Sequence, residues 1–447
     1  MMKSISVFGI GKLGFPIVAC FASKGFRVTG YDVNPETIQA VNERKPRIFE
    51  PGLAELLKKS GELSATDDYK YAVENSEATF IVVPTPSLPD GSFATKYAEA
   101  AAEQIAAGIK NKKTYHLVVL TSTVLPGATE SRIKTLLEKT SGKKCGRDFG
   151  LCYSPEFIAL GSVIRNFLNP DVILIGESDT KAGKLLEEIY ESVCENKPPI
   201  VRTSIQNAEL AKISLNAYVT MKISFANTIS ELCERIPGGD AEAVSRILGF
   251  DSRIGRKYLS GALAYGGPCF PRDNKAFSFF AKTLGSEARL AEATDKENRH
   301  QNERIVSIVR QKTNPIRGKK IAILGLTYKP NTDVVEEAAP VIIARVLLDE
   351  GAILSVYDPA GMDNAKKVLG KDGVYYARSA KDCLKGADLC ILATPWDEFN
   401  NLKPGDFSAA MKRPAILDCW KLFNPDEFSQ KMDYDTLGLY RGGENEG

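Results

Sequence analysis

A thiol acts as a nucleophile when it is reachable and ionisable, and one stretch of this chain is built for both: Tyr265-Gly266-Gly267-Pro268-Cys269-Phe270-Pro271-Arg272-Asp273. The paired glycines and the two prolines hold the backbone in a tight, exposed turn. Arg272 and Asp273 put a cation and a proton acceptor beside the sulfur, surroundings that favour thiolate. Elsewhere, Lys212 and Asn216 stand four apart and share one face of an otherwise apolar predicted helix. A lysine buried there is costly without a partner or a task, and otherwise it snorkels to solvent. In Ser154-Pro155-Glu156-Phe157 a carboxylate follows directly on a predicted strand, where it is either a solvated charge or part of a site.

A second constellation points to a cofactor. Gly9-Ile10-Gly11-Lys12-Leu13-Gly14 falls between the apolar run Ser4 to Phe8 and a helical pattern from Phe15 to Ser23, and Asp32 ends the next strand, 18 residues after Gly14. Glycines let the backbone approach a pyrophosphate, the helix N-terminus offers N–H groups and partial positive charge, and Asp32 can accept from the ribose hydroxyls. A carboxylate there repels a 2′-phosphate, so NAD is expected over NADP. The cofactor set is Gly9, Gly11, Lys12, Leu13, Gly14 and Asp32, with Thr85, Pro86 and Thr123 in turns that follow further strands. A reactive cysteine in an NAD enzyme suggests capture of an aldehyde, since a thiohemiacetal can be oxidised again to a thioester.

The elements that must position these groups read as an α/β fold. Strands at Ala78 to Val83 and Tyr115 to Leu120 lead into Pro84-Thr85-Pro86 and Thr121-Ser122-Thr123, where a parallel sheet presents its ligand edge. Gly150 to Tyr153 and Val172 to Ile175 extend the sheet. From Asn207 to Glu234 there is neither Gly nor Pro, and the stretch is apolar on most faces, which predicts a long connecting helix that also forms a homodimer interface. Beyond it, Ile321 to Gly325, Ile353 to Asp358 and Ala387 to Thr394 echo the opening of the chain and predict a second doubly wound half. Its first turn, Gly325-Leu326-Thr327-Tyr328-Lys329, lacks the later glycines, so Lys329 offers a point charge to a different phosphate ligand, unless that sheet is structural only. The expected division is an NAD-binding Rossmann domain over 1–203, a helical dimerisation domain carrying the cysteine loop over 204–305, and a second Rossmann-like domain over 306–447.

Composition narrows the partners. The chain of 447 residues is long enough for about three domains. It is 43% hydrophobic and 26% charged, the balance of a globular protein. Lys and Arg number 58 against 56 Asp and Glu, a net charge of +2 that offers nucleic acid or an anionic bilayer no general basic surface. Nine dispersed cysteines without CxxC pairs read as reduced cytoplasmic thiols. No apolar run reaches the roughly 18 residues of a membrane span, and the first residues lack a signal-type core. With His116 and His300 as the only histidines and no ligand-spaced cluster, no metal site is expected. The terminal stretch 441–447, small and polar, is expected to be disordered.

Ten motifs follow one another along the chain: Gly9 to Gly14, Glu50-Pro51-Gly52-Leu53, Val83-Pro84-Thr85-Pro86, Ser122-Thr123-Val124, Ser154 to Phe157, Asn169-Pro170-Asp171, Glu209 to Asn216, Asp251 to Gly255, Gly266 to Asp273 and Tyr328-Lys329. In this order they resemble the UDP-glucose/GDP-mannose dehydrogenase family over nearly the whole chain. The resemblance implies oxidation of the C6 alcohol of a nucleotide sugar through an aldehyde to a carboxylate, reducing two NAD. By position it makes Cys269 the nucleophile and Lys212 with Asn216 the oxyanion stabilisers. Asp273 and Thr123 would position or deprotonate the reacting water, and Glu156 would assist thioester hydrolysis. For the substrate it implies Phe157, Gly266, Tyr328 and Lys329, with Tyr258 and Leu259 packing on the nucleotide and Arg253 reaching the neighbouring subunit's site.

Departures from the UDP-glucose pattern touch the same shell. Leu160 stands where that pattern has a second glutamate, Arg272 where it has lysine, Val334-Val335-Glu336 where it has Asp-Val-Arg, and Cys419-Trp420-Lys421 follows Asp418 in place of a Gly-Arg turn. Loss of a carboxylate removes an acceptor worth about 1–3 kcal/mol of discrimination, so the sugar stays open among UDP-glucose, a UDP-N-acetylhexosamine and GDP-mannose. Trp420 offers a stacking face and Lys421 a charge. A two-electron hydroxyacid dehydrogenase and a non-catalytic sugar-nucleotide binder are the competing functions.

Overall fold

The computed structural model describes residues 2–46 and 48–440, so the expectation for the tail at 441–447 lies outside the described residues. The chain divides into two compact units, Met1–Leu215 with Phe279–Ser286, and Asn216–Ser278 with Glu287–Gly447.

The first unit is built on an eight-stranded sheet: β1 Ser4–Phe8, β2 Arg27–Tyr31, β3 Leu63–Thr66, β4 Ala78–Ile81, β5 His116–Leu120, β6 Phe149–Tyr153, β7 Ile173–Glu177 and β8 Ile200–Ser204. Their order is β3-β2-β1-β4-β5-β6-β7-β8, parallel except where β6 meets β7. Strands β1, β4, β5 and β6 are buried at every residue, as expected of parallel strands with helices on both faces. Phe21, on the helix Gly14–Ser23, meets Phe26, Phe80 and Phe167 with ring centroids 5.8, 5.0 and 5.2 Å away. Truncating it to alanine costs about 3–5 kcal/mol. The order reverses between β1 and β4, so the crevice beyond their carboxyl ends is the expected ligand edge. Strand β4 stops at Ile81, earlier than the expected Val83, because the Val83 N–H turns to the Ser122 hydroxyl at 3.0 Å.

The second unit repeats the design with β9 Lys320–Leu324, β10 Ile353–Tyr357, β11 Val374–Tyr376, β12 Leu389–Leu392, β13 Ala415–Asp418 and β14 Asp433–Thr436. The order β11-β10-β9-β12-β13-β14 is parallel throughout and reverses between β9 and β12. The same unit carries the helices Ala241–Phe250 and Arg289–Thr313 and most of Phe270–Thr283. A continuous helix, Ile205–Arg235, joins the two sheets' domains and runs 31 residues, a little longer than the expected Asn207 to Glu234. No helix among the described residues is long and apolar enough to cross a membrane.

Candidate functional site

In the first unit the glycines of the opening turn each answer a different steric demand. Gly9 takes φ +90° and a Cβ on it would stand 2.5 Å from Val82 O. A Cβ on Gly14 would stand 1.9 Å from Gly9 O, so the helix can begin this close to β1 only with glycine there. At Gly11, by contrast, a Cβ meets nothing within 4 Å: open space lies where the backbone would approach a pyrophosphate. The helix cap, Leu13, offers no side-chain hydrogen bond to the first turn, and Lys12 beside it is exposed. Asp32, half-buried, accepts from Ile10 N at 3.0 Å and Asn34 N at 2.9 Å. The open approach at Gly11, an uncapped helix N-terminus and an accessible carboxylate at the end of β2 suit a dinucleotide with a free ribose 2′-hydroxyl. Across the edge, Thr85 Oγ1 donates to Thr123 O at 2.7 Å and Ser122 Oγ to Val83 O at 2.7 Å, tying together the turns after β4 and β5. Pro86 is exposed beside them.

The turn after β6 carries Glu156. Burial pushes its carboxyl up to about 7, against the opposing effects of the Lys212 charge and the Tyr190 hydroxyl. Lys212 is 7% exposed. Its Nζ donates to Glu156 O at 2.7 Å and lies 5.0 Å from the centroid of the Phe157 ring. The snorkelling alternative for Lys212 is therefore excluded within this unit.

In the second unit Cys269 is the exposed member of nine cysteines, the others being buried or, for Cys145, intermediate. It immediately precedes the helix Phe270–Thr283, and its carbonyl accepts from Asp273 N at 2.8 Å. Asp273 is fully buried. Its Oδ1 accepts from Arg272 Nε at 2.8 Å and Nη2 at 2.7 Å, its Oδ2 from Asn216 Nδ2 at 2.6 Å. Burial works against the Arg272 charge, yet Asp273, Cys269 and Glu336 together hold the guanidinium above its ordinary range. The glycines before the thiol are threaded against the loop after β9. A Cβ on Gly266 would stand 2.2 Å from Glu337 O, one on Gly267 2.7 Å from the Tyr328 ring, and Gly267 N donates to Glu336 O at 3.1 Å. Burial raises the Tyr328 phenol, with Cys269 and Tyr258 adding to the effect. Lys329 Nζ is 6.0 Å from the Tyr328 ring centroid.

Residues 3–194 match the UDP-glucose/GDP-mannose dehydrogenase family, NAD binding domain; 206–300 match its central domain and 322–425 its UDP binding domain. The UDP-glucose 6-dehydrogenase AglM of Haloferax volcanii is 36% identical over 97% of this chain and 99% of its own length. The chain belongs to the UDP-glucose/GDP-mannose dehydrogenase family. It is an NAD-dependent nucleotide-sugar dehydrogenase. A solved UDP-glucose dehydrogenase from the hyperthermophilic archaeon Pyrobaculum islandicum has a TM-score of 0.89 at 36% identity, covering 99% of this chain and 98% of that one. The GDP-mannose 6-dehydrogenase of Pseudomonas aeruginosa is 34% identical over 79% of this chain and 80% of its own.

Within this family member the structure groups Glu156, Phe157 and Lys212 in one unit, and Cys269, Arg272, Asp273, Asn216, Gly266 and Tyr328 in the other. Tyr258, with φ +66°, sets its ring 6.3 Å from Phe270. Leu259 is 3% exposed, a core residue of its segment. Arg253 stands on the surface, paired with Asp251 through Nε at 2.9 Å. The indole N–H of Trp420, half-buried, is anchored to Ala393 O at 2.9 Å with the side chain packed on the second core, and Lys421 pairs with Asp240 at 3.1 Å. Sequence reasoning missed Tyr190, whose hydroxyl lies 3.4 Å from Glu156 Oε1, because an apolar-face tyrosine on an amphipathic helix gives no local sign of its partner. Glu209, fully buried, carries a legible sign: an acid on an apolar helix needs donors, and it receives Gly127 N and Thr129 N at 2.6 and 2.9 Å.

Proposed function

We propose that this enzyme oxidises the C6 alcohol of a nucleotide sugar, UDP-glucose foremost, to the carboxylate by way of a thioester on Cys269. The supporting observation is the thiol itself: the exposed one of nine cysteines, at the head of a helix, beside a guanidinium. NAD, when bound on the Gly9 to Gly14 turn, supplies the two-electron acceptor, and the full reaction needs two. Overall, R–CH2OH and water give R–COO⁻ with four electrons and their protons released. Lys212 and Asn216 donate to the oxyanion that forms when sulfur adds to the aldehyde. The Cys269 thiolate adds to the aldehyde carbon, forming the C–S bond of a thiohemiacetal, whose oxidation leaves a thioester. Asp273 and Thr123 position the attacking water. Its proton goes to Glu156, its oxygen to the carbonyl carbon, and the C–S bond breaks to return the thiolate. Phe157, Tyr258, Leu259, Gly266, Tyr328 and Lys329 hold the nucleotide sugar.

Incubation with NAD and a panel of UDP-glucose, UDP-N-acetylhexosamines and GDP-mannose tests the reading. Two NADH per sugar are expected, with UDP-glucose turned over at the highest kcat/KM, and Cys269→Ser yields no acid. One NADH with free aldehyde from the unaltered enzyme contradicts the thioester route. GDP-mannose is the second candidate sugar, favoured by the 34% identity to the Pseudomonas enzyme.

The same reading takes a second copy of the chain as partner. Tyr218, Phe225 and Leu232 recur every seventh residue along the helix Ile205–Arg235 and are 58, 51 and 51% exposed, a stripe suited to a homodimer. Arg253 then serves the neighbouring subunit. Sedimentation of Phe225→Glu as a monomer, where the parent sediments as a dimer, is the expected outcome.

A further inference from the structure

The surroundings of the half-buried Glu156 suit its carboxyl in either protonation state, through two hydroxyls that the reaction does not otherwise use. Ser154 leaves β6 with its O–H donated to Leu174 O at 2.9 Å, so its oxygen remains an acceptor. Tyr190, on the helix Thr180–Val193, places its hydroxyl 3.0 Å from Ser154 Oγ and 3.4 Å from Glu156 Oε1. A phenol has one proton to give. With Glu156 ionised, that proton points to the carboxylate. With Glu156 protonated, the carboxyl donates to Tyr190 Oη and the phenol turns to Ser154. Each arrangement gives every proton in the set an acceptor, and neither moves a heavy atom.

We propose that Tyr190 is a positioning residue whose hydroxyl turns between Glu156 and Ser154, letting Glu156 take the proton of the attacking water and later release it to solvent. The inference rests on Glu156 as the base of thioester hydrolysis. Tyr190 stays neutral throughout, since burial and then the nearby Glu156 charge raise its phenol well above the ordinary range. The other groups bearing on Glu156 are Lys212 from the helix Ile205–Arg235, whose charge favours the carboxylate, and two thiols, Cys20 from the helix Gly14–Ser23 and Cys194. Burial, foremost, raises both thiols, which keeps them neutral while Glu156 titrates. The reversible partner of the carboxyl is therefore the phenol.

Direct titration of Glu156 is the test, read from the carboxyl carbon of δ-13C-glutamate-labelled enzyme and assigned by its loss in Glu156→Gln. The parent midpoint is expected near 7. Tyr190→Phe removes the donor to the carboxylate and moves the midpoint up by about half to one unit. Ser154→Ala removes the acceptor that draws the phenol proton away, and moves it down. In turnover, the pH at half-maximal rate of acid release from the thioester follows the same two shifts. KM stays constant, and Tyr190→Phe regains the parent rate at high pH. A tyrosine that is merely structural lowers the rate at every pH and leaves both midpoints in place, which overturns the proposal. Should Tyr190→Phe fold poorly, an unmoved midpoint in Ser154→Ala overturns it equally. A 13C midpoint that shifts while the rate profile does not would sink Glu156 as the base and leave the hydroxyl switch standing.

Discussion

Both halves of the molecule end their second strand with an aspartate, and the two aspartates do opposite things. Asp32, at the end of β2, keeps part of its surface open and takes backbone N–H groups from Ile10 and Asn34. Asp358, at the end of β10, is 1% exposed. Its Oδ2 receives Leu326 N, Thr327 N, Thr327 Oγ1 and Trp396 Nε1 at 2.7–3.1 Å, and its Oδ1 receives Ala360 N and Gly361 N. No acceptor capacity is left for a ribose. The turns differ in the same sense: where the first half has Gly11 facing open space, the second has Thr327, buried, its carbonyl accepting from Thr394 Oγ1 at 2.6 Å. In the first half a helix starts at Gly14. In the second, the helix waits until Ala339, and the intervening loop sets Tyr328, Glu336 and Glu337 against the glycines before Cys269. One topology thus serves a close-approach dinucleotide turn and a closed turn with an extended loop, and the difference is made by which donors reach one carboxylate.

The largest test of that contrast is Asp358→Ala. Stranding so many buried donors should cost about 3 kcal/mol or more in chemical denaturation, whereas Asp32→Ala should leave stability within about 1 kcal/mol while raising the NAD KM roughly tenfold. Equal losses of stability would erase the distinction. Next, Gly11→Ala should fold with unchanged stability, since its Cβ meets only space, but should weaken NAD by about tenfold to a hundredfold, about 1.4 to 2.7 kcal/mol. Unchanged NAD affinity would show that the open space is not where the cofactor lies.

A smaller effect concerns a carboxyl of the first half that lacks such donors. Glu156 is raised from 4.5 to about 7, chiefly by burial, so the folded protein holds that proton more tightly than the unfolded chain. The sign follows: the contribution to stability is full below about pH 4.5 and is lost as pH rises through about 7, and Glu156→Gln should flatten that part of the stability curve. A parent curve rising with pH in that window beyond the Gln variant's would reverse the assignment. The smallest effect belongs to Lys421→Met in the second half, whose pair with the exposed Asp240 should be worth less than about 1 kcal/mol by thermal melting.

How much of this was legible beforehand can be judged residue by residue. The strand, glycine turn and helix from Ser4 to Ser23, the acid at Asp32, the long helix and the echo of the opening in the last third all rest on local rules: strand alternation and burial, helix spacing, glycine where backbone meets backbone. Such rules act within a few residues, so composition and spacing settle them. Family motifs likewise singled out Cys269, Lys212 and Glu156 as residues.

What they touch was another matter. That Lys212 caps a carbonyl of Glu156 from 56 positions away, that Tyr190 faces that same glutamate, and that Asp358 turns inward while Asp32 stays open are outcomes of chain crossings. Burial and partnership belong to a position in space, not to a residue type. An aspartate at a strand end is a ribose acceptor or a structural hub according to how many donors the rest of the chain delivers to it. The amino-acid order therefore determined the two folds and the candidate reacting groups, and only the tertiary structure decided which of those groups were left with lone pairs and protons to use.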